Sequence, residues 1–180
     1  MTRPKLTQLE AEAMINKYAP YTIVEPVKVL AIRGYYKQTM GDPEANDRGI
    51  YDDAIILIGP NFYNTFNANT DPSKYKPGIA KLVPGLHYFK KGKHGISRPG
   101  GGYNAFRPDT PDEGLDVTRD GKTGVYRGIA INIHRGGEIY TNSAGCQTLW
   151  PSQWLEFQTK VYDMMTMEGQ RRLPYLLVDG

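Results

Sequence analysis

The chain has one cysteine, Cys146, among its 180 residues. A lone thiol forms no intramolecular disulfide, so folding needs no oxidising compartment, and a zinc site built from several cysteines is excluded. No hydrophobic run approaches the roughly 18 apolar residues that cross a membrane as a helix. The first ten residues, Met1 to Glu10, also lack the apolar stretch of a secretory signal. Neither membrane insertion nor Sec-type export is expected. Charge of one sign is scarce too, with a net of +3. The one basic run, Lys90, Lys91 and Lys93, reads as a solvated loop, and no nucleic-acid partner is expected.

What the chain has in plenty is turn formers. Twenty glycines and thirteen prolines, with thirteen tyrosines, point to many turns and short strands. The length suits one domain, read here as a single catalytic unit over 1–180. Residues 1–25 are taken as a helical extension, and 126–150 as the segment that carries the chemistry. Thr7 and Glu10 make a T-x-x-E capping box, which predicts a helix over 7–18 ended by Pro20. Strands are predicted at 27–34, at 54–58 (apolar throughout and so buried on both faces), at 62–67 and at 86–89. The Gly- and Pro-rich stretch 98–114 reads as a loop. Asp120-Gly121 predicts a hairpin within 115–125. Over 126–134, Ile129, Ile131 and Ile133 alternate with Asn132 and His134. Period two then sends the three isoleucines to the core and His134 and Asn132 to the opposite face. Trp154, Phe157, Val161 and Met164 fall at helical spacing in a predicted helix over 152–167. A last strand is expected at 175–178.

Cys146 stands in the run Asn142-Ser143-Ala144-Gly145-Cys146-Gln147, twelve positions after His134. A free cysteine has a pKa of about 8.5, so its thiol needs a base nearby to act as a nucleophile near neutrality. An imidazole can take that proton. If it does so at rest, Cys146 should alkylate faster than a model thiol. The alternative is an inert small hydrophobe, and the polar and small neighbours Asn142, Ser143, Gly145 and Thr148 argue against it. Gly145 leaves the backbone before the thiol open to a close approach.

The segment Ile131-Asn132-Ile133-His134-Arg135-Gly136-Gly137, continued by Ser143-Ala144-Gly145-Cys146, resembles the L,D-transpeptidase catalytic domain, specifically short phage- and prophage-type members. That family has a strand-borne histidine followed closely by glycine, and a Ser/Thr-x-Gly-Cys motif. The resemblance implies a mainly β fold with a β-sandwich-like core, here with an N-terminal and a C-terminal helix. It implies cysteine-dependent acyl transfer on peptidoglycan stem peptides at L-to-D junctions, through a thioester that an amine or water resolves. No cofactor or metal is implied. Cys146 would be the nucleophile and His134 its base. Ser143, Gly145 and Gly136 would shape the pocket and oxyanion region, and Asn132 would orient substrate. The family's usual arginine two places after the cysteine is Thr148 here, and Arg135 is the candidate replacement. A phage cell-wall lysis enzyme fits these features, made in the cytoplasm and acting on the wall after a non-Sec release.

Two other readings stand beside this one. His87, His94 and His134 could be ligands of a zinc peptidase or amidase, although seven residues between the first two is no recognised ligand spacing. The tyrosines and Gly/Pro loops would also suit a non-enzymatic phage or wall-binding module.

Overall fold

The computed structural model describes residues 1–97 and 99–180; Arg98, the first residue of the predicted 98–114 loop, lies outside the described residues. The fold is mainly β with two helices. Helix α1 (Gln8–Tyr18) starts as predicted: the Thr7 side chain accepts from the Glu10 amide, and Glu10 Oε2 accepts from the Thr7 amide at 2.8 Å. The strands are β1 (Lys28–Arg33), β2 (Asp53–Gly59), β3 (Phe62–Asn69), β4 (Ala80–Leu82), β5 (Gly85–His94), β6 (Tyr103–Pro108), β7 (Gly114–Arg119), β8 (Tyr126–Ile129), β9 (Ile133–Arg135), β10 (Gln147–Leu149) and, after helix α2 (Pro151–Met167), β11 (Leu173–Asp179).

The core is a closed barrel rather than two facing sheets. Its eight strands run in the order β1-β11-β5-β6-β9-β10-β3-β2, and β4-β7-β8 form a small separate sheet. Two parallel pairs, β1 with β11 and β9 with β10, complete a ring whose other neighbours are antiparallel. Closure removes the open edges that a sandwich would leave. The sandwich-like core implied by the resemblance is corrected on that point.

Strand periodicity divides the apolar residues between two layers. Val29 and Ala31 of β1, Ile55 and Leu57 of β2, and Tyr175 and Leu177 of β11 share one cluster with Trp154, Phe157 and Val161 of α2. Their alternates, Leu30, Ile32, Ile56, Ile58, Leu176 and Val178, pack beneath Ala11 and Ile15 of α1. That is why β2 is apolar throughout: both of its faces are covered. Phe157 meets Phe66 and Phe106 edge-on, with centroids 5.3 and 5.7 Å apart.

Two sequence expectations fail locally. The 98–114 stretch is not all loop, because it contains β6, which pairs with β5 from Phe89↔Pro108 to His94↔Tyr103. The predicted strand over 126–134 is two strands. Ala130 sits between them at φ +55, in the left-handed region that an alanine seldom adopts. That turn leaves β8 in the small sheet and sends β9 into the barrel. Ile131 and Ile133 are buried as expected, but Ile129 is 58% exposed. The Asp120-Gly121 turn does join β7 to β8, with Gly121 at φ +70.

Candidate active site

The parallel pairing of β9 with β10 brings the two chemical residues together. Its register sets Gln147 beside Ile133 and Thr148 beside His134, and the Gln147 amide donates to Asn132 O at 2.8 Å. Carried one residue back, the register puts Cys146 next to Asn132. The Asn132 amide lies 3.4 Å from Cys146 Sγ, and the thiol points to Ala130 O at 3.7 Å. A parallel pair needs a crossover, and here it is the loop 136–146. The twelve-position offset from His134 to Cys146 is therefore set by that eleven-residue crossover.

The loop is held from both sides. Ser143 Oγ accepts from the Gly145 amide at 3.0 Å and donates to Cys146 O at 2.7 Å. Ser73 donates its amide to Ser143 O and accepts the Ser143 amide on Oγ at 2.7 Å. Gly145 has φ +122, and a Cβ there would stand 2.6 Å from Ala80 O, so only glycine fits. Gly136 donates its amide to Leu149 O, and a Cβ on it would strike Tyr51 Oη at 2.0 Å. Ser143, Gly145 and Gly136 thus shape the site. Their amides are already bonded within the protein.

His134 is 3% exposed and borders a cleft of about 970 Å³. Its Nδ1 lies 2.8 Å from Arg135 O and 3.3 Å from Tyr103 Oη. A carbonyl only accepts, so Nδ1 carries the hydrogen and Nε2 is the basic nitrogen. A second imidazole lies over the first: the His94 ring stacks on His134 with centroids 3.8 Å apart and planes 19° apart. Asn132 Nδ2 is 3.2 Å from His94 Nδ1, and Asn132 Oδ1 is buried without a hydrogen-bond partner. Asn132 therefore sits between the thiol and His94.

A ring nitrogen of each histidine and Cys146 Sγ all fall within 4.8 Å of one another. The set has the chemistry of a zinc site; it keeps His94 and His134 of the sequence-based ligand trio, with Cys146 in place of His87. His87 is seven residues from His94 on the same strand, so it faces the other side, where it bonds Val83 O at 2.8 Å. Metal geometry is nevertheless poor in this arrangement. An imidazole binds zinc through an in-plane lone pair at about 2.0–2.1 Å. Rings stacked nearly parallel aim those lone pairs side by side rather than at one point.

Burial pushes the Cys146 thiol above its ordinary range, opposed by the Asn132 amide and by the charge of Arg107. A resting thiolate is thereby disfavoured. Thr148, in the place of the family's arginine, is wholly buried and supplies no charge to the cleft; Arg135 is exposed and borders it. Tyr103 carried no local sequence signal as a site, and His94 entered only as a candidate zinc ligand. They arrive from the paired ends of β5 and β6, in register His94↔Tyr103.

Behind the loop lies a buried charged network. Asp53 accepts from the amides of Gly34 and Thr70, both at 2.5 Å, and Arg33 Nε lies 3.3 Å from Asp71 Oδ1. Burial first, and then neighbouring carboxylate charge, raises Asp52 and Asp53 well above the usual carboxylate range. The fold therefore keeps protons that the unfolded chain releases above about pH 4. Stability contributed by these groups is full at low pH and is lost as pH rises toward neutrality, at about 1.4 kcal/mol per proton per pH unit. Half-buried His87, held below its ordinary value by desolvation, works in the opposite direction. Asp52→Asn should flatten the decline, and denaturant titrations at pH 5 and pH 8 measure it. An unchanged difference between the two pH values would show that Asp52 is not its source.

Among the described residues, no helix is long and apolar enough to cross a membrane. The chain matches no protein-family model, no curated protein and no solved structure.

Proposed function

We propose that the protein is a cysteine acyl-transfer enzyme of the L,D-transpeptidase kind, acting on peptidoglycan stem peptides. The observation that carries the reading is the arrangement of the thiol and one imidazole. Cys146 and His134 are brought together by a parallel strand pair, and His134 is fixed in the right tautomer by a backbone carbonyl. The cleft that His134 borders, lined also by Ser143 and Ala144 just before Cys146, is large enough for a peptide.

In this mechanism Sγ attacks the carbonyl at an L-to-D junction while His134 Nε2 takes the thiol proton. Local amides hold the resulting oxyanion. The imidazolium then protonates the departing amine, the C–N bond breaks, and a thioester remains. Water or an amine from another stem gives a proton to His134, attacks the thioester and returns the thiol. Water yields a carboxypeptidase or endopeptidase, and an amine yields a transpeptidase.

The zinc-hydrolase reading is disfavoured by the stacked rings. A wall-binding module would have no need for a fixed histidine tautomer beside the thiol. The test is mass spectrometry of purified muropeptides incubated with wild type and with Cys146→Ala. Loss of D-alanine, or an exchanged or cross-linked product, is expected with wild type alone. Equal activity in both proteins would sink the thiol mechanism, and no product in either would favour the binding module.

A further inference from the structure

The cleft is cationic, and nothing within it cancels the charge. Lys74 and Lys76, on the connection between β3 and β4, form one wall, and Arg135, at the end of β9, stands on the His134 side. Among the described residues, no aspartate or glutamate borders this cleft. Three carboxylates around it are committed elsewhere, and exposed Glu138 lines the adjoining groove that shares Arg135. Asp71 is bridged by Arg33 and Lys81, Asp120 by Arg48, and Glu113 by Arg107. Asp120 also accepts the Lys76 amide at 3.2 Å, which ties down the backbone of the lysine wall. Lys74 and Lys76 themselves are exposed. Like charges lining a concave low-dielectric wall focus their field and concentrate anions.

We propose that Lys74, Lys76 and Arg135 form an anion subsite that selects a peptide carrying a free carboxylate close to the carbonyl Cys146 attacks. The inference rests on the thiol reading and adds to it the charge of what the thiol meets. Lys74 and Lys76 are then specificity-determining residues contributed by a segment far from the His–Cys motif. Arg135 stands over Tyr103, its guanidinium 6.0 Å from the ring centroid, and covers the cleft from the opposite side.

The test compares two alkylating agents at Cys146, anionic iodoacetate and neutral iodoacetamide. Both need the same thiolate, so the elevated thiol pKa cancels in the ratio of their rates. With N-acetylcysteine amide as the model thiol, the iodoacetate/iodoacetamide ratio should be about tenfold higher in the protein at low salt. It should fall toward the model value in Lys74→Gln/Lys76→Gln, and also in wild type at about 0.5 M salt. The iodoacetamide rate and a thermal melt check that the variant is folded and its thiol intact. A wild-type ratio no higher than the model thiol's, or one unmoved by the double substitution, would overturn the proposal.

A second arm uses stem peptides with the diamino-acid carboxylate free or amidated. The free form should have the lower KM, and the gap should close in the double variant. Turnover of both forms with equal KM would also overturn the proposal. If the alkylation ratio behaves as expected and neither peptide is turned over, the anion subsite stands and the peptidoglycan reading falls.

Discussion

Cys146→Ser and His134→Gln are each expected to reduce turnover at least about 1,000-fold, and the double variant should be no slower than the worse single one. Residues that act as one unit lose their joint contribution when either is removed, so their effects do not add. Serine keeps the volume of the thiol but not its nucleophilicity, and glutamine keeps much of the bulk of imidazole but cannot move a proton. His134 contributes only if its Nε2 is basic, which the 2.8 Å bond from Nδ1 to Arg135 O ensures. Because burial raises the thiol, the rate of iodoacetamide alkylation should have its midpoint above the ordinary cysteine range near pH 8.5. At pH 7, wild type should therefore alkylate more slowly than a model thiol. Additive losses in the double variant would separate the two residues, and a midpoint near pH 6 would restore the resting ion pair.

Arg33→Met should cost about 3–5 kcal/mol, the usual penalty for breaking a buried charge pair from one side. Arg33 is 4% exposed, and its guanidinium donates to Thr70 Oγ1, Thr70 O and Leu82 O at 3.1, 2.9 and 3.0 Å. It also faces Asp71. Methionine fills similar space but leaves Asp71 with the partly exposed Lys81 as its one remaining charge partner beside the neutral Asn46 amide, and three acceptors without the Arg33 donor. For a chain of this size the melting temperature should fall by about 10 °C. The site should feel the loss as well. Asp71 is two residues from Ser73, and Ser73 holds Ser143 in the loop before Cys146. Differential scanning calorimetry and kcat of the folded variant measure the two effects. A shift of less than about 3 °C would show that the network contributes little.

Several elements were legible because their signals are local. Thr7 and Glu10 cap a helix through contacts three residues apart. The apolar run 54–58 has to be buried wherever it pairs. Asp120-Gly121 turns through backbone preference alone. The predicted helix over 152–167 forms as α2, with Trp154, Phe157, Val161 and Met164 buried. The thiol and its histidine were also legible, because only a short crossover separates them in the chain. Ala130 shows the limit. Nothing in an alanine announces a φ of +55, and that one residue divides a predicted strand and exposes Ile129.

By itself, then, the sequence determined the mainly β class, the two helices and the residues able to do thiol chemistry, all of them set by backbone preference and side-chain periodicity over short spans. Only the tertiary structure decided that the sheet closes into a barrel, since β1 pairs with a strand from the far end of the chain. It alone laid His94 on His134, and set Lys74 and Lys76 along the cleft beside the thiol loop. These contacts join segments tens of residues apart, whose meeting depends on strand order and register, which no local pattern encodes.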